Sequence, residues 1–334
     1  MRMGGFEIGE RIVAQGTRET VNLGVSTLAN ASPMNLPVHV VHGGPGPVLF
    51  LSGAVHGDEI QGIEIVRRVL GHEALKSLSG TLLAIPIVNA FGFLNHSRYM
   101  PDRRDLNRSF PGSDQGSLTS LLADLFFREV VLRSQYGIDL HSAALHRTNL
   151  PQIRIAPKDD DLMTLAEAFA PPVIMTSKLR DGSLRQCAKD AGVKVVLFEG
   201  GEALRFDEAS IETGVKGTLR VMKSIGMIGT APAVPGHAVT VHSTSSTWTR
   251  APEGGILHSV RQVGDKVGRR EPIGIITDPL GQVRVPVFAE DDGVIIGKTN
   301  LPIVNRGDAL FHVARIKAKA SSKVDAMPDE DEII

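Results

Sequence analysis

The sequence predicts an α/β protein, with a mostly parallel or mixed sheet flanked by helices, followed by a small all-β domain. From about residue 46 to residue 228, apolar strand-like runs alternate with amphipathic stretches, which is typical of βαβ units. A Pro/Gly-rich segment follows at 229–238. Residues 239–315 then show short Val/Ile-rich segments with Gly-Asp turns and no helical period, which indicates a β-barrel or sandwich.

These changes of pattern divide the chain into three parts. We predict an α/β domain at residues 1–230, which begins with short Thr- and Val-rich strands, and a β-barrel-like domain at 239–315. The last residues, 316–334, are polar and charge-segregated, and we expect them to be disordered.

The elements of the first domain follow from periodicity. Runs with almost no polar residue predict strands that are covered on both faces: PVLFLSGAV, GTLLAIPIVNAFGF, YGIDLHSAA and KVVLFEGG. Apolar residues at helical spacing predict the intervening helices: EIQGIEIVRRVLGHEAL, LTSLLADLFFREVVLR, DDDLMTLAEAFA, SLRQCAKDAGV and SIETGVKGTLRVMKSIGM.

Composition narrows the functional classes. The chain has 334 residues and a net charge of −1, so it has no global attraction to nucleic acid or to an anionic membrane. One cysteine, Cys187, excludes an intramolecular disulfide framework and a cysteine-based zinc finger. The N-terminus lacks an apolar signal segment, and no apolar run approaches the roughly 20 residues that span a bilayer. We expect a soluble, cytoplasmic protein.

Polar residues at the ends of two predicted strands suggest a metal site. His56 and Glu59 lie three residues apart where a strand gives way to a helix, and His141 ends another strand. Two histidines and a glutamate form a ligand set of hydrolytic zinc that leaves one position open. Asp139, two residues before His141, would project to the same side and orient a ligand. An H-x-x-E pair alone is often coincidental, and the shared strand-end placement strengthens the interpretation.

A second motif, RRDLNRSFPG, spans residues 103–112 and forms a polar loop. Asn107 and Arg108 can bind a carboxylate or a polarised carbonyl, the arginine through its planar guanidinium. The alternative is a surface turn with solvated arginines.

The third motif is VVLFEGGEAL, in which Glu199 ends an apolar run before two glycines. A partly desolvated carboxylate at that point suits a general base for a metal-bound water. Glu202 competes for this role, and the structural alternative is a carboxylate at the start of a helix.

Together the motifs G-A-x-H-G-D-E, D-L-N-R-x-F-P-G, D-L-H and E-G-G resemble those of the succinylglutamate desuccinylase/aspartoacylase family, which belongs to the carboxypeptidase-like zinc hydrolases. The resemblance covers roughly residues 46–315. It implies the zinc carboxypeptidase-like fold and one Zn²⁺ per chain, held by His56, Glu59 and His141.

The same resemblance implies roles for the other residues. Glu199 would act as base and proton shuttle, and Asn107 and Arg108 would bind substrate. Family members often carry an Arg-Tyr pair before D-L-N-R that steadies the oxyanion, and Arg98 precedes Tyr99 here. Its spacing to the motif is two residues longer than in the aspartoacylase branch, which leaves Arg103 as a substitute.

The predicted function is therefore removal of an acyl group from an N-acylated amino acid, or a related small amine, by metal-activated water with a glutamate base. The partner would be this small-molecule substrate, with Arg154 and Arg205 as candidate specificity residues, and homo-oligomerisation is open. Two alternatives remain: a carboxypeptidase-like enzyme that trims short peptides or amino-acid tails, and a catalytically silent binding protein.

The C-terminal pattern resembles lipoyl/biotinyl carrier domains, which present a modified lysine in a hairpin after a strand like IGIITD. Here Pro279 follows that strand, and Lys266 lies in a different Gly-Asp turn, so carrier function is not expected. This domain would cover the cleft, limit substrate size or mediate oligomerisation.

Overall fold

The computed structural model describes residues 4–234 and 239–316, and it confirms a mixed α/β fold with helices on both faces of a large sheet. The predicted tail lies outside these residues except for Ile316. Within the described ranges, no helix combines the length and apolar content needed to cross a lipid bilayer.

The described α-helices are named α1 to α6 in chain order. They are α1 (Gln61–Leu70), α2 (Ala90–Leu94), α3 (Leu118–Phe126), α4 (Asp160–Phe169), α5 (Leu184–Asp190) and α6 (Glu208–Ser224). Two 3₁₀ turns lie at Glu73–Ser77 and Leu106–Arg108, and a π-helical turn at Phe127–Val131 extends α3.

The strands are likewise numbered in chain order. Those of the first part are β1 (Gly5–Ile8), β2 (Arg11–Ala14), β3 (Thr17–Thr27), β4 (Pro33–His42), β5 (Val48–Gly53), β6 (Thr81–Ile85), β7 (Tyr136–Ala143), β8 (Arg147–Ile155), β9 (Val173–Thr176) and β10 (Lys194–Glu202). Those of the second part are β11 (Val241–Ser243), β12 (Ser246–Arg250), β13 (Gly255–Ser259), β14 (Lys266–Val267), β15 (Pro272–Thr277), β16 (Arg284–Phe288), β17 (Gly293–Thr299), β18 (Ile303–Val304) and β19 (Ala309–Arg315).

The main sheet has the strand order β12-β19-β17-β8-β10-β7-β5-β6-β4-β3. Its centre is parallel, because β7 runs parallel to both β5 and β10, and β5 runs parallel to β6. The carboxyl ends of β5, β7 and β10 therefore meet at one edge, where open α/β sheets place their sites. Most of the remaining pairs are antiparallel, so the sheet is mixed as a whole.

Two apolar cores cover the faces of this sheet. Helices α1, α4 and α6 pack on one face through residues such as Val66, Phe169 and Leu219, which are buried. Helices α3 and α5 pack on the other face, where Phe126 and Leu184 are buried. Buried on both sides, the central strands need the nearly continuous apolar sequences from which they were predicted.

Local structure departs from the sequence prediction at two places. The run GTLLAIPIVNAFGF forms a strand only over Thr81–Ile85, and Ala90–Leu94 is helical because the Asn89 side chain caps it by accepting from Gly92 N. Strands β8 and β9 are not predicted from the sequence. RTNLPQIRI, which forms β8, carries polar residues along its length, and β9 has only the four residues VIMT.

The C-terminal strands join the main sheet instead of standing apart from it. Residues 297–299 of β17 pair with residues 147–149 of β8, and β19 and β12 continue outward. A separate four-stranded sheet, in the order β16-β15-β13-β18, packs with them around a third apolar core. The two predicted domains thus share a sheet, and their division at residue 239 stays a prediction.

Candidate active site

The turn after β5 brings His56 and Glu59 to the carboxyl edge of the sheet. The chain leaves β5 at Gly53, and backbone bonds from Val88 N to Gly53 O (3.0 Å) and from Asn89 N to Ala54 O (2.9 Å) fix its path. A Cβ at residue 57 would collide with the backbone of α2, so only glycine fits at this position directly after His56. The local sequence GAVHGDE therefore determines where both side chains point.

Glu59 lies between the two imidazoles. Its Oε1 is 2.7 Å from His56 Nδ1, and its Oε2 is 2.7 Å from Nδ1 of His141, which projects from β7. All three side chains are buried, and their ligand atoms lie within 4.8 Å of one another. The structure thus brings together the three predicted metal ligands.

The opposite ring nitrogens contact carboxylates. His141 Nε2 is 2.7 Å from Asp139 Oδ2, and Ser52 Oγ donates to Asp139 Oδ1 at 2.8 Å. His56 Nε2 lies 3.1 Å from Asp105 Oδ1. A proton on each Nε2 would leave each Nδ1 lone pair free for a cation, the arrangement by which carboxylates orient zinc-bound histidines.

The buried charges shift one another's pKa values. Burial acts to raise the pKa of Glu59, but the neighbouring His56 and His141 hold it well below its usual range. Burial acts to lower the pKa of His141, but Asp139 and Glu59 raise it well above the usual value. The pKa of His56 is raised too, because the charge of Glu59 and a hydrogen bond with Asp105 outweigh the effect of burial. These shifts favour the ionised form of Glu59 and the protonated forms of both imidazoles.

The structure distinguishes the two arginine candidates. Arg98 lies beside the cluster, with Nη1 3.3 Å from Glu59 Oε1 and Nη2 2.9 Å from Asp105 Oδ2. Arg103 is exposed, in a left-handed conformation (φ 64°), and does not line the cavity. Of the two arginines, Arg98 is therefore the one that lies beside the cluster and lines the cavity.

The D-L-N-R loop contributes to the wall of the cavity. Asn107 is buried, and its Oδ1 accepts from Leu184 N at 2.9 Å, which ties the loop to the start of α5. Arg108 is half-buried, donates to Asn107 O at 2.8 Å and lines the cavity. The predicted substrate-binding residues thus face the same space as the histidines.

Glu199 also faces the cavity, and Glu202 does not. Asn149 Nδ2 donates to Glu199 Oε2 at 2.8 Å, and Arg154 Nε is 3.9 Å from the other carboxylate oxygen. Glu202 accepts from His146 N at 3.0 Å and from Asn300 Nδ2 at 3.0 Å, contacts that join loops. Of the two predicted carboxylates, Glu199 is the one beside the cluster.

The cavity has a volume of about 790 Å³ and a cationic lining. Its floor is the cluster, and the C-terminal strands supply one wall, which includes Trp248 and His312. The two rings stack with centroids 4.6 Å apart. Arginines surround the cavity: Arg98, Arg108, Arg147, Arg154, Arg180, Arg185 and Arg250. Arg205, the other specificity candidate, is outside it and pairs with Glu202.

Several residues of the site were not found from the sequence. Asp105 was present in the D-L-N-R motif, and its contact with His56 could have been suspected. Asn149 was missed because strand β8 was not predicted. Trp248 belongs to a part of the chain that was assigned to a separate domain, and no local signal indicates that it reaches the cavity.

The chain is similar to proteins of a known family. The profile of the succinylglutamate desuccinylase/aspartoacylase catalytic domain matches residues 45–225, more than half of the chain. The chain belongs to the succinylglutamate desuccinylase/aspartoacylase family. The matched segment contains His56, Glu59, His141 and Glu199, and membership supports a hydrolase that cleaves amide bonds.

The relatives extend beyond that segment. The chain is 28% identical over 293 residues to the N-alpha-acetyl-L-2,4-diaminobutyric acid deacetylase of Halomonas elongata, covering 84% of this chain and 86% of the relative. Two solved structures share the fold, each over 90% of this chain. The product-bound ectoine utilization protein EutE (DoeB) from Ruegeria pomeroyi has a TM-score of 0.78, 23% identity and 94% of its length covered. A succinylglutamate desuccinylase/aspartoacylase from Rhodobacter sphaeroides has a TM-score of 0.79, 24% identity and 96% covered.

Proposed function

We propose that the protein is a zinc-dependent amidohydrolase that removes an acyl group from an N-acylated amino acid or a related small amine. The observation that carries the proposal is the convergence of His56, Glu59 and His141 on one floor of a cavity that Glu199 and Arg98 also face. Membership in a family of deacylases supports the reaction class.

The residues fit one Zn²⁺. Two imidazole nitrogens and one carboxylate are a ligand set of hydrolytic zinc, and the adjoining cavity leaves room for a fourth ligand. Both histidines also have the carboxylate partners that hold zinc ligands in place. A zinc ion held there would supply Lewis acidity, which makes water a stronger nucleophile at neutral pH and polarises the substrate carbonyl.

The protein's own groups would handle protons and charge. Glu199 would accept a proton from the attacking water on a carboxylate oxygen and later donate it to the leaving amine. Arg98, beside Glu59 and Asp105, would donate from its guanidinium to the oxygen on which negative charge develops.

The cationic wall would bind the carboxylate of an amino-acid substrate. Arg108 and Arg154 line the cavity together with Asn107, and a guanidinium can bind a carboxylate through two parallel hydrogen bonds. The Halomonas relative is named for an N-α-acetylated diamino acid, which makes that compound the first substrate to test. A cytoplasmic location, consistent with the single cysteine, remains part of the proposal.

The lipoyl-like fold of the C-terminal part is likewise proposed. Strands β15 and β16 form a hairpin. The loop that connects them, residues 278–283 (DPLGQV), contains no lysine to carry a cofactor. Since Trp248 and Arg250 line the cavity, this part would limit the size of the substrate.

The test is hydrolysis of a panel by the zinc-loaded protein: N-acetyl, N-succinyl and N-formyl amino acids, N-α-acetyl-2,4-diaminobutyrate and short peptides. We expect turnover of N-acyl amino acids, and a fall in kcat of about 10²–10⁴-fold for Glu199→Gln with zinc still bound. Glu202→Gln is the matched control and should keep the parent rate. A normal rate for Glu199→Gln would refute the assignment of the base, and turnover of peptides alone would favour a carboxypeptidase-like enzyme.

A further inference from the structure

Strand β8 links the C-terminal strands to Glu199. On one side its residue Asn149 pairs with Gly201 of β10, and on the other side with Gly297 of β17. The register of β10 slips between Glu199 and Gly201, so Asn149 lies beside the carboxylate although it is not its direct partner. Such irregularities re-aim side chains near active sites.

The contact between the two side chains is specific. Asn149 Nδ2 donates to Glu199 Oε2 at 2.8 Å, and both residues line the cavity. A donor on one carboxylate oxygen restricts the rotation of the side chain. Arg154 Nε lies 3.9 Å from the opposite oxygen, Oε1, so a guanidinium also faces this carboxylate.

The C-terminal strands make room for this amide. A Cβ at Gly297 would lie 2.8 Å from Asn149 Oδ1, but 3.4 Å from His312 Cβ and 3.6 Å from Thr148 O. The first contact is too short and involves the end of a mobile side chain, so alanine at 297 would displace the Asn149 carboxamide and leave the backbone in place.

Strand β19, the next strand outward in the sheet, packs against Gly297. His312 of β19 pairs with Gly297, is buried, and its Nε2 lies 2.7 Å from Ser246 Oγ. Trp248 stacks on its ring, so the row from Trp248 through His312 and Gly297 to Asn149 crosses four neighbouring strands.

We propose that Asn149 is a positioning residue for Glu199 and that Gly297, from the C-terminal part of the chain, is the small residue that allows it. The proposal rests on the function proposed above, in which Glu199 is the base. The C-terminal strands thereby contribute to the reaction. They set the position of the Asn149 carboxamide, which orients the Glu199 carboxylate toward the cluster.

The test compares the full-length, zinc-loaded variants Asn149→Ala, Gly297→Ala and the double variant. We expect kcat to fall about 10–100-fold in each single variant, with KM changed less than about threefold, because transition-state and not ground-state interactions are lost. In the Asn149→Ala background, Gly297→Ala should cost nothing more, since both act through one carboxamide. Additive losses would refute the role of Gly297, and an unchanged kcat for Asn149→Ala would refute positioning.

Controls separate positioning from misfolding. Gly268→Ala is matched, because its Cβ would meet nothing closer than 3.7 Å, and it should keep the parent kcat. Trp248 is the sole tryptophan of the chain, so its fluorescence can report ligand binding in every variant, independently of turnover. Zinc content and ligand affinity should match the parent protein in all of them.

Crystal structures of the parent protein and both single variants complete the test. We expect Asn149 to move away from Glu199 in Gly297→Ala, and the Glu199 side chain to change rotamer in both. If the parent protein hydrolyses no member of the panel, the proposed function fails, and the crystal structures still decide the positioning. A Glu199 rotamer unchanged in both variants would overturn it.

Discussion

Asp139 Oδ2 lies 2.7 Å from His141 Nε2, and the other nitrogen of the same ring lies 2.7 Å from Glu59 Oε2. The aspartate is fully buried and its second oxygen accepts from Ser52, so it can hold the ring in one orientation and one tautomer. Its position two residues before His141 on β7 puts both side chains on one face of the sheet.

We therefore expect Asp139→Asn to weaken zinc binding about 10–100-fold, because the amide would no longer accept the Nε2 proton with a full negative charge. Competition with a chelator of known affinity measures the change. Asp114→Asn, at an exposed turn, is the control and should bind zinc like the parent protein. Equal affinity of the two variants would mean that Asp139 does not orient the ring.

The sequence was sufficient where the signal was local. The H-x-x-E motif ends one apolar run and the D-L-H motif ends another. From these two motifs we predict two strands whose carboxyl ends meet, and the structure brings the side chains of the motifs together. It was insufficient where position depends on pairing between distant segments. Asn149 reaches Glu199 only because β8 pairs with β10, and Trp248 reaches the cavity only because β17 pairs with β8. No periodicity within either segment encodes these pairings.

Zinc binding should release protons and weaken as pH falls. Nearby carboxylates raise the pKa values of His56 and His141, so protons compete with a cation for these ring nitrogens up to a higher pH than they would at a free imidazole. As the pH falls, protons occupy the imidazole nitrogens more strongly. The affinity for zinc should then fall by about tenfold per pH unit for each proton that zinc displaces. Titration calorimetry in two buffers of different ionisation enthalpy counts the protons. Affinity that is constant from about pH 8 to about pH 6 would contradict the raised pKa values.

The two arginine candidates should differ in kinetics. Arg98→Ala should lower kcat about 10²–10³-fold, since the guanidinium beside Glu59 and Asp105 would no longer stabilise negative charge on the substrate oxygen. Arg103→Ala, which removes an exposed side chain outside the cavity, should leave kcat unchanged. Steady-state kinetics on the best substrate of the panel measures both. A larger loss of kcat in Arg103→Ala than in Arg98→Ala would assign stabilisation of the oxyanion to Arg103 instead.

Packing between α4 and α6 should be sensitive to one methyl group. A Cβ at Gly217 would overlap the ring of Phe169, which is fully buried, so Gly217→Ala should lower the free energy of unfolding by about 1–3 kcal/mol. At Gly71 the nearest atoms to such a Cβ are 3.7 Å away, and Gly71→Ala should be tolerated. Denaturant melts of both variants test the packing, and equal stabilities would show that α6 can shift away from the ring.

The most direct test of the account is an anomalous-scattering map at the zinc edge from crystals of the zinc-loaded protein. We expect one strong peak per chain, about 2.0–2.1 Å from Nδ1 of both His56 and His141 and close to a carboxylate oxygen of Glu59. A map with no peak among these three side chains, or with zinc bound elsewhere, would contradict the proposed metal centre and the hydrolysis that depends on it.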